Sequence, residues 1–154
     1  MRGAGQSDML EKTNLLGAIV AVVFFLSAIF VFSFRLAAKP QVGFLIGYFE
    51  FLLALPMIYL LLTGPRLERP TLYYIQIGLM LAWLLVEALL DYVLKVDFRN
   101  VRWMVICYVM LFFAGTGGLM GVAAKAGRGW TLVAGILFLV MAVLAFLQRA
   151  VTGM

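Results

Sequence analysis

A chain of 154 residues in which 66% of the side chains are apolar and only 12% are charged is too apolar for an ordinary soluble domain, where about a quarter of the residues are charged. Its net charge of +5 comes from basic residues in short clusters between apolar runs, a pattern that suits lipid headgroups and argues against a nucleic-acid partner. The sequence contains no histidine, which excludes His-ligated haem, His-containing metal sites and His-dependent catalytic triads, so we expect no metal and no cofactor.

Apolar stretches long enough to cross a bilayer, which takes about 20 residues, recur five times. In chain order they are Thr13 to Phe34, Gln41 to Pro65, Thr71 to Leu94, Trp103 to Ala124 and Gly129 to Gln148. Basic residues, in most cases with Pro or Gly, interrupt the chain between them. We therefore predict an all-α integral membrane protein with a single transmembrane domain, residues 1–154. Its fold is a compact bundle of five transmembrane helices joined by short loops.

The basic residues leave the orientation of this bundle undecided. Six lysines and arginines, Arg2 among them, fall on the N-terminal side and six fall on the opposite side, so the positive-inside rule favours neither orientation. Either partners or individual loops fix the orientation, or the chain inserts both ways round as an antiparallel pair. In a bacterium, we expect the protein in the cytoplasmic (inner) membrane.

The second stretch combines a close-packing motif with a carboxyl group. Gly43 and Gly47 form a GxxxG pair, and steps of three and four residues continue their helix face to Glu50. Glu50 is therefore expected to point into the bundle or toward a second copy of the chain. Pro56 lacks a backbone N–H for the carbonyl of Leu52, which predicts a kink.

The third stretch concentrates its polar and aromatic residues on one helix face. At spacings of three and four, this stripe contains Tyr73, Gln76, Met80, Trp83, Glu87 and Asp91. Ionisable groups inside a membrane are costly and are functional candidates by default. Asp91, within a turn of the end of the stretch, is instead expected to act as an interface anchor that reaches basic groups such as Lys95 or Arg99.

The fourth stretch offers small residues for helix packing and one hydroxyl group. Its predicted packing face contains Ala114, Gly118 and Gly121, with Gly117 adjacent. Tyr108 falls at nearly the depth of Glu87 and is a candidate hydrogen-bond donor to it.

Depth along the helices brings two carboxyl groups together. At a rise of about 1.5 Å per residue, Glu50 and Glu87 lie in the same half of the membrane, on consecutive antiparallel helices. Two carboxyl groups in a poorly solvated site do not both ionise readily, so we expect them to share an environment in which at least one carries a proton. The alternative is an internal hydrogen-bonding role, through one protonated carboxyl or a contact between Glu50 and Tyr108.

Three functions remain open on the sequence alone. The first is a binding or transport protein for a hydrophobic or cationic amphiphilic ligand, or an accessory membrane subunit. Its candidate site contains Glu50, Gln76, Trp83, Glu87 and Tyr108. The second is a lipid- or isoprenoid-modifying enzyme that uses the carboxyls as acid and base, and the third is a purely structural subunit. We expect membrane lipids as partners, together with a hydrophobic or amphiphilic small molecule, further copies of the chain or a larger membrane complex.

Overall fold

The computed structural model describes residues 3–152, which form helices with no strand among them. The α-helices are α1 (Ala4–Leu36), α2 (Pro40–Leu52), α3 (Ala54–Thr63), α4 (Thr71–Glu87), α5 (Arg102–Ala123) and α6 (Arg128–Thr152). Short 3-10 segments occupy Pro65–Leu67, Phe98–Asn100 and Ala124–Ala126 in the connections. Arg2, one of the basic residues counted for orientation, lies outside the described residues.

Five helical segments are long and apolar enough to cross a membrane, as the sequence predicted, with α2 and α3 together making the second. The helices are longer than the apolar stretches at both ends of the chain. α1 begins at Ala4 rather than near Thr13, and an ion pair of 2.7 Å between Lys12 and Asp8 lies on its polar first turns. Apolarity locates the part of a helix that is suited to hydrocarbon, whereas hydrogen bonding carries the helix beyond it.

The second segment is interrupted one turn before its proline. α2 ends at Leu52 and α3 begins at Ala54, while the Leu53 N–H bonds back to the Glu50 carbonyl at 3.0 Å. Pro56 has no N–H to offer the carbonyl of Leu52, four residues earlier, so the regular helix is broken at that point. The interruption lies at Leu53, three residues after Glu50.

The third segment ends in a π-helix over Ala88–Val93, which the sequence pattern did not predict. The Leu94 N–H donates to the Leu89 carbonyl at 2.8 Å, a five-residue step. Such segments are rare and occur frequently at functional sites. This one begins immediately after Glu87 and contains Asp91.

α1 is the central helix and packs against α2, α3, α5 and α6, while α4 and α5 form another extensive pair. The largest fully buried side chains include Phe24, Phe25, Met57, Ile77, Met80, Leu119 and Met141. Large apolar side chains also cover much of the outer surface, most of all on α6. That distribution suits a hydrocarbon surrounding better than water.

Two glycines bring the backbones of α4 and α5 into contact. A Cβ on Gly118 would lie 2.7 Å from the Gln76 carbonyl oxygen, and one on Gly115 would lie 3.1 Å from the Cα of Met80. Gly121 faces the side-chain amide of Gln76 in the same way. Gly117 has no neighbour within 4 Å of its Cβ position, so the close-packed face runs through Gly115, Gly118 and Gly121 and does not include Gly117.

Candidate functional site

A small cavity of about 40 Å³ lies between α1, α2, α4 and α5, and we call it the carboxyl cavity. Its walls are formed by Ala28, Val31, Phe32, Arg35, Glu50, Trp83, Glu87, Tyr108 and Phe112. Four of the five residues named from the sequence as a candidate ligand site therefore line one space. A cavity of this volume is large enough for water but too small for an amphiphile.

Glu50 is 6% exposed and lies 2.9 Å from the Ser27 hydroxyl of α1. That hydroxyl is also 2.8 Å from the carbonyl oxygen of Phe24, three residues earlier in the same helix. The Ser27 hydroxyl is the donor in both contacts, so its single hydrogen is shared between the Phe24 carbonyl oxygen and the Glu50 carboxyl oxygen, as in a bifurcated hydrogen bond. The sequence left open a contact between Glu50 and Tyr108. In the structure, the hydrogen-bond partner of Glu50 is Ser27.

Glu87 is 8% exposed and closes α4 directly before the π-helix. The Tyr108 hydroxyl of α5 donates a hydrogen bond to its carboxyl group. This is the partner that the depth comparison suggested for Glu87.

Trp83 joins the two carboxyls to the aromatic core. Its ring centroid lies 5.7 Å from that of Phe24, 5.1 Å from that of Phe112 and 6.1 Å from that of Tyr108. The buried indole N–H has no hydrogen-bond partner within residues 3–152. An unpartnered donor beside a water-sized cavity is a place where an ordered water gains a partner.

Arg35, which directly follows the first predicted stretch, supplies a positive charge to the carboxyl cavity. It lies in the last turn of α1, and its side chain crosses Gly43, whose Cβ position is 3.6 Å from the Arg35 Cγ. Gly43 of the GxxxG pair therefore leaves room for a basic side chain. Ser27, Val31 and Arg35 recur at steps of four residues and therefore share one face of α1. The same periodicity that marks the polar stripe of the third stretch also marks this face in the sequence.

Asp91 is paired with Arg99 across the connection between α4 and α5. The two guanidinium nitrogens lie 2.9 and 2.5 Å from the two carboxylate oxygens, and the side chains are 4% exposed for Asp91 and 29% for Arg99. Burial alone would lower the pKa of Arg99, but the hydrogen bond and negative charge of Asp91 outweigh it and raise the pKa. Of the two basic partners anticipated for Asp91, Arg99 is the one in contact.

Two of the other residues named from the sequence lie away from the carboxyl cavity. Gln76 is eleven residues before Glu87, roughly 16 Å along the helix axis, and it packs against Gly118 and Gly121. Gly47 faces the hydroxyl of Tyr92, which donates to the Phe44 carbonyl at 3.3 Å. Both positions are parts of helix contacts.

A second, larger space opens on the outside of the bundle between α5 and α6, and we call it the outer groove. Its volume is about 390 Å³. The lining residues are Phe32, Phe98, Arg99, Val105, Ile106, Tyr108, Val109, Met110, Phe112, Phe113, Ala145, Phe146, Gln148 and Arg149. Three of them, Phe32, Tyr108 and Phe112, also line the carboxyl cavity, so a single layer of aromatic side chains separates the two spaces.

The chain matches no protein-family model, no curated protein and no solved structure in the comparisons made. The fold and site define an all-helical bundle with paired buried carboxyls. Within residues 3–152, no group of three or more His, Cys, Asp or Glu side chains is arranged to hold a metal ion.

Proposed function

We propose that the chain is an integral membrane protein that binds an amphiphile in the outer groove and exchanges a proton in the carboxyl cavity behind it. The observation that carries the proposal is the position of Tyr108. Its ring forms part of the wall of both spaces, and its hydroxyl donates to Glu87. A change of proton at Glu87 therefore alters a residue that the ligand touches.

The charges around the cavity support one shared proton. Asp91 and Arg99 neutralise each other, which leaves Glu50 and Glu87 with Arg35 as the cation lining their cavity. Two carboxylates and one guanidinium carry a net negative charge that is costly in a poorly solvated site, and one added proton removes it.

Proton exchange also fits the dimensions of the two spaces. The carboxyl cavity accepts water but no acyl chain, whereas the outer groove has the volume of a small-molecule site. We therefore separate the two roles that the sequence interpretation had combined. The carboxyls hold the proton, and the ligand occupies the groove.

The mechanism follows from the hydrogen-bonding capacity of Tyr108. While Glu87 is ionised, the phenol hydrogen is committed to its carboxylate. When Glu87 takes up a proton, its own O–H can donate to the phenol oxygen, and the phenol hydrogen becomes free to bond to an acceptor in the groove. Ligand binding and proton uptake then favour each other, with equal coupling in both directions.

Retention of an amphiphile by the purified protein tests the ligand half of this proposal. We expect native mass spectrometry from mild detergent to show a bound amphiphile in the wild type and its loss in Val109→Trp, because the added indole fills the groove. Leu62→Trp is the matched control, since Leu62 is 72% exposed on the outer surface of α3 and lines neither space. Equal retention in the two variants would contradict binding in the groove.

Isosteric amides test the proton half. Retention by the wild type should change between mildly acidic and mildly alkaline buffer, and Glu87→Gln should abolish that change while keeping an acceptor for Tyr108. Tyr108→Phe should also weaken the pH dependence, because it removes the link rather than the titrating group. If Glu50→Gln and Glu87→Gln both unfold more easily yet keep the wild-type pH dependence, the carboxyls have only a structural role.

A further inference from the structure

The outer groove has chemically distinct ends. Residues Val105 to Phe113 of α5 span eight steps, roughly 12 Å along the helix axis, and the wall that they form is apolar apart from the Tyr108 hydroxyl. Arg99, from the connection before α5, and Arg149, from the end of the antiparallel α6, contribute the charged groups of the lining. The groove thus offers a cationic end and an apolar length, which is the pattern of an anionic amphiphile.

The two arginines differ in how much charge they leave for a ligand. Arg99 is bound bidentately by Asp91, and its guanidinium carbon lies 4.8 Å from the centre of the Phe98 ring. Arg149 forms no ion pair within residues 3–152 and is exposed. Among the described residues, no acidic side chain lines the groove. The charge available to a ligand is therefore positive, and Arg149 supplies most of it.

From this charge pattern we infer that the groove binds a fatty acid, with its carboxylate at Arg149 and Arg99 and its acyl chain along α5. A guanidinium presents paired N–H donors that match a carboxylate. About 390 Å³ is near the lower end of small-molecule sites and suits one acyl chain. This inference rests on the proposed function for its site, and it names an anionic ligand in place of the hydrophobic or cationic amphiphilic ligand that the sequence interpretation had given.

The sign of the charge fixes the sign of the pH dependence. An ionised Glu87 behind Tyr108 repels an anion in the groove, and a proton on Glu87 removes that repulsion. A fatty acid should therefore bind more tightly as the pH falls, whereas a cationic amphiphile should bind more tightly as the pH rises. A fatty acid also titrates itself, so a permanently charged competitor is needed to isolate the contribution of the protein.

The intrinsic fluorescence of Trp83 provides the readout. In a Trp103→Phe, Trp130→Phe background, Trp83 is the remaining tryptophan, and its ring packs on Phe112 and Tyr108 of the groove wall. We expect dibromostearate to quench Trp83 in lipid nanodiscs. Hexadecanesulfonate should displace it, and hexadecanol or hexadecyltrimethylammonium should not.

Arg149→Gln should weaken displacement by the sulfonate roughly tenfold, the equivalent of about 1.4 kcal/mol. Arg128→Gln is the matched control, since Arg128 is an exposed arginine at the opposite end of α6 and lies outside the groove. Equal affinity in the two variants, or equal displacement by the alcohol or the ammonium compound, would overturn an anionic ligand.

The same titration separates this inference from the proposed function. Sulfonate binding that ignores pH in the wild type would contradict the proton linkage and leave the anionic ligand standing. Selective binding of the ammonium compound, with a pH dependence that Glu87→Gln abolishes, would contradict the anionic ligand and leave the proton linkage standing. If dibromostearate does not quench Trp83, binding of an amphiphile in the groove is contradicted.

Discussion

Replacing Gly118 with leucine is expected to abolish the folded bundle, the largest effect that we predict for a single substitution. The Cβ alone would lie 2.7 Å from the Gln76 carbonyl oxygen and 3.0 Å from the Gln76 Cα, which are backbone atoms and move only with α4 as a whole. Alanine at Gly118 should cost about 2 to 3 kcal/mol, the upper part of the range for overpacking, and leucine should cost more. Equilibrium unfolding in mixed detergent micelles measures both.

Gly117→Ala is the matched control, because it makes the same change at the adjacent residue where nothing lies within 4 Å of the Cβ. It should leave stability unchanged or raise it by up to about 1 kcal/mol, the difference in helix propensity between glycine and alanine. Equal losses in the two alanine variants would show that flexibility of the helix, and not the contact between α4 and α5, sets the cost.

The contrast between Gly117 and Gly118 also marks what the sequence leaves open about the fold. Five apolar stretches of bilayer length predict five long helices because length and composition are local properties. Which glycine faces a neighbour depends on how each helix is rotated, and a run of small residues leaves several rotations equally plausible. The sequence interpretation therefore placed Gly118 and Gly121 on the packing face, but paired them with Ala114 where the structure has Gly115.

In the candidate site too, the sequence predicts how deep each residue lies along its helix but not which helix faces meet. A constant rise per residue placed Glu50, Glu87 and Tyr108 at similar depths, and the structure brings all three to one cavity. The contributions of α1 were missed because Ser27 sits in an apolar run and Arg35 follows the end of the predicted stretch at Phe34. A central helix contacts most of the others, so its few polar residues lie next to any buried site.

Glu87 and Asp91 lie on either side of the start of the π-helix and serve different partners. Glu87, immediately before it, accepts from Tyr108 inside the bundle, whereas Asp91, within it, holds Arg99 at the end of the outer groove. The ion pair thus fixes one of the two arginines that we assign to the ligand.

Breaking the ion pair between Asp91 and Arg99 is the second large effect that we expect. Arg99→Met leaves the carboxylate of Asp91 buried and unpaired, since its side chain is only 4% exposed. Asp91→Leu leaves a guanidinium that is 29% exposed and can turn toward water. We expect losses of about 3 kcal/mol for Arg99→Met and about 2 kcal/mol for Asp91→Leu, near or below the cost of breaking a fully buried pair.

The double variant Asp91→Leu, Arg99→Met decides whether these losses come from the unpaired charge. Two apolar side chains can pack where the pair stood, so the double variant should lie within about 1 kcal/mol of the wild type in the same unfolding measurement. Asp8→Ala is the control for an exposed pair, because the bond between Asp8 and Lys12 is open to solvent, and it should have no measurable effect. If the double variant loses the sum of the two single losses, the pair is not coupled, and Arg99 must be held at the groove by its contact with the Phe98 ring instead.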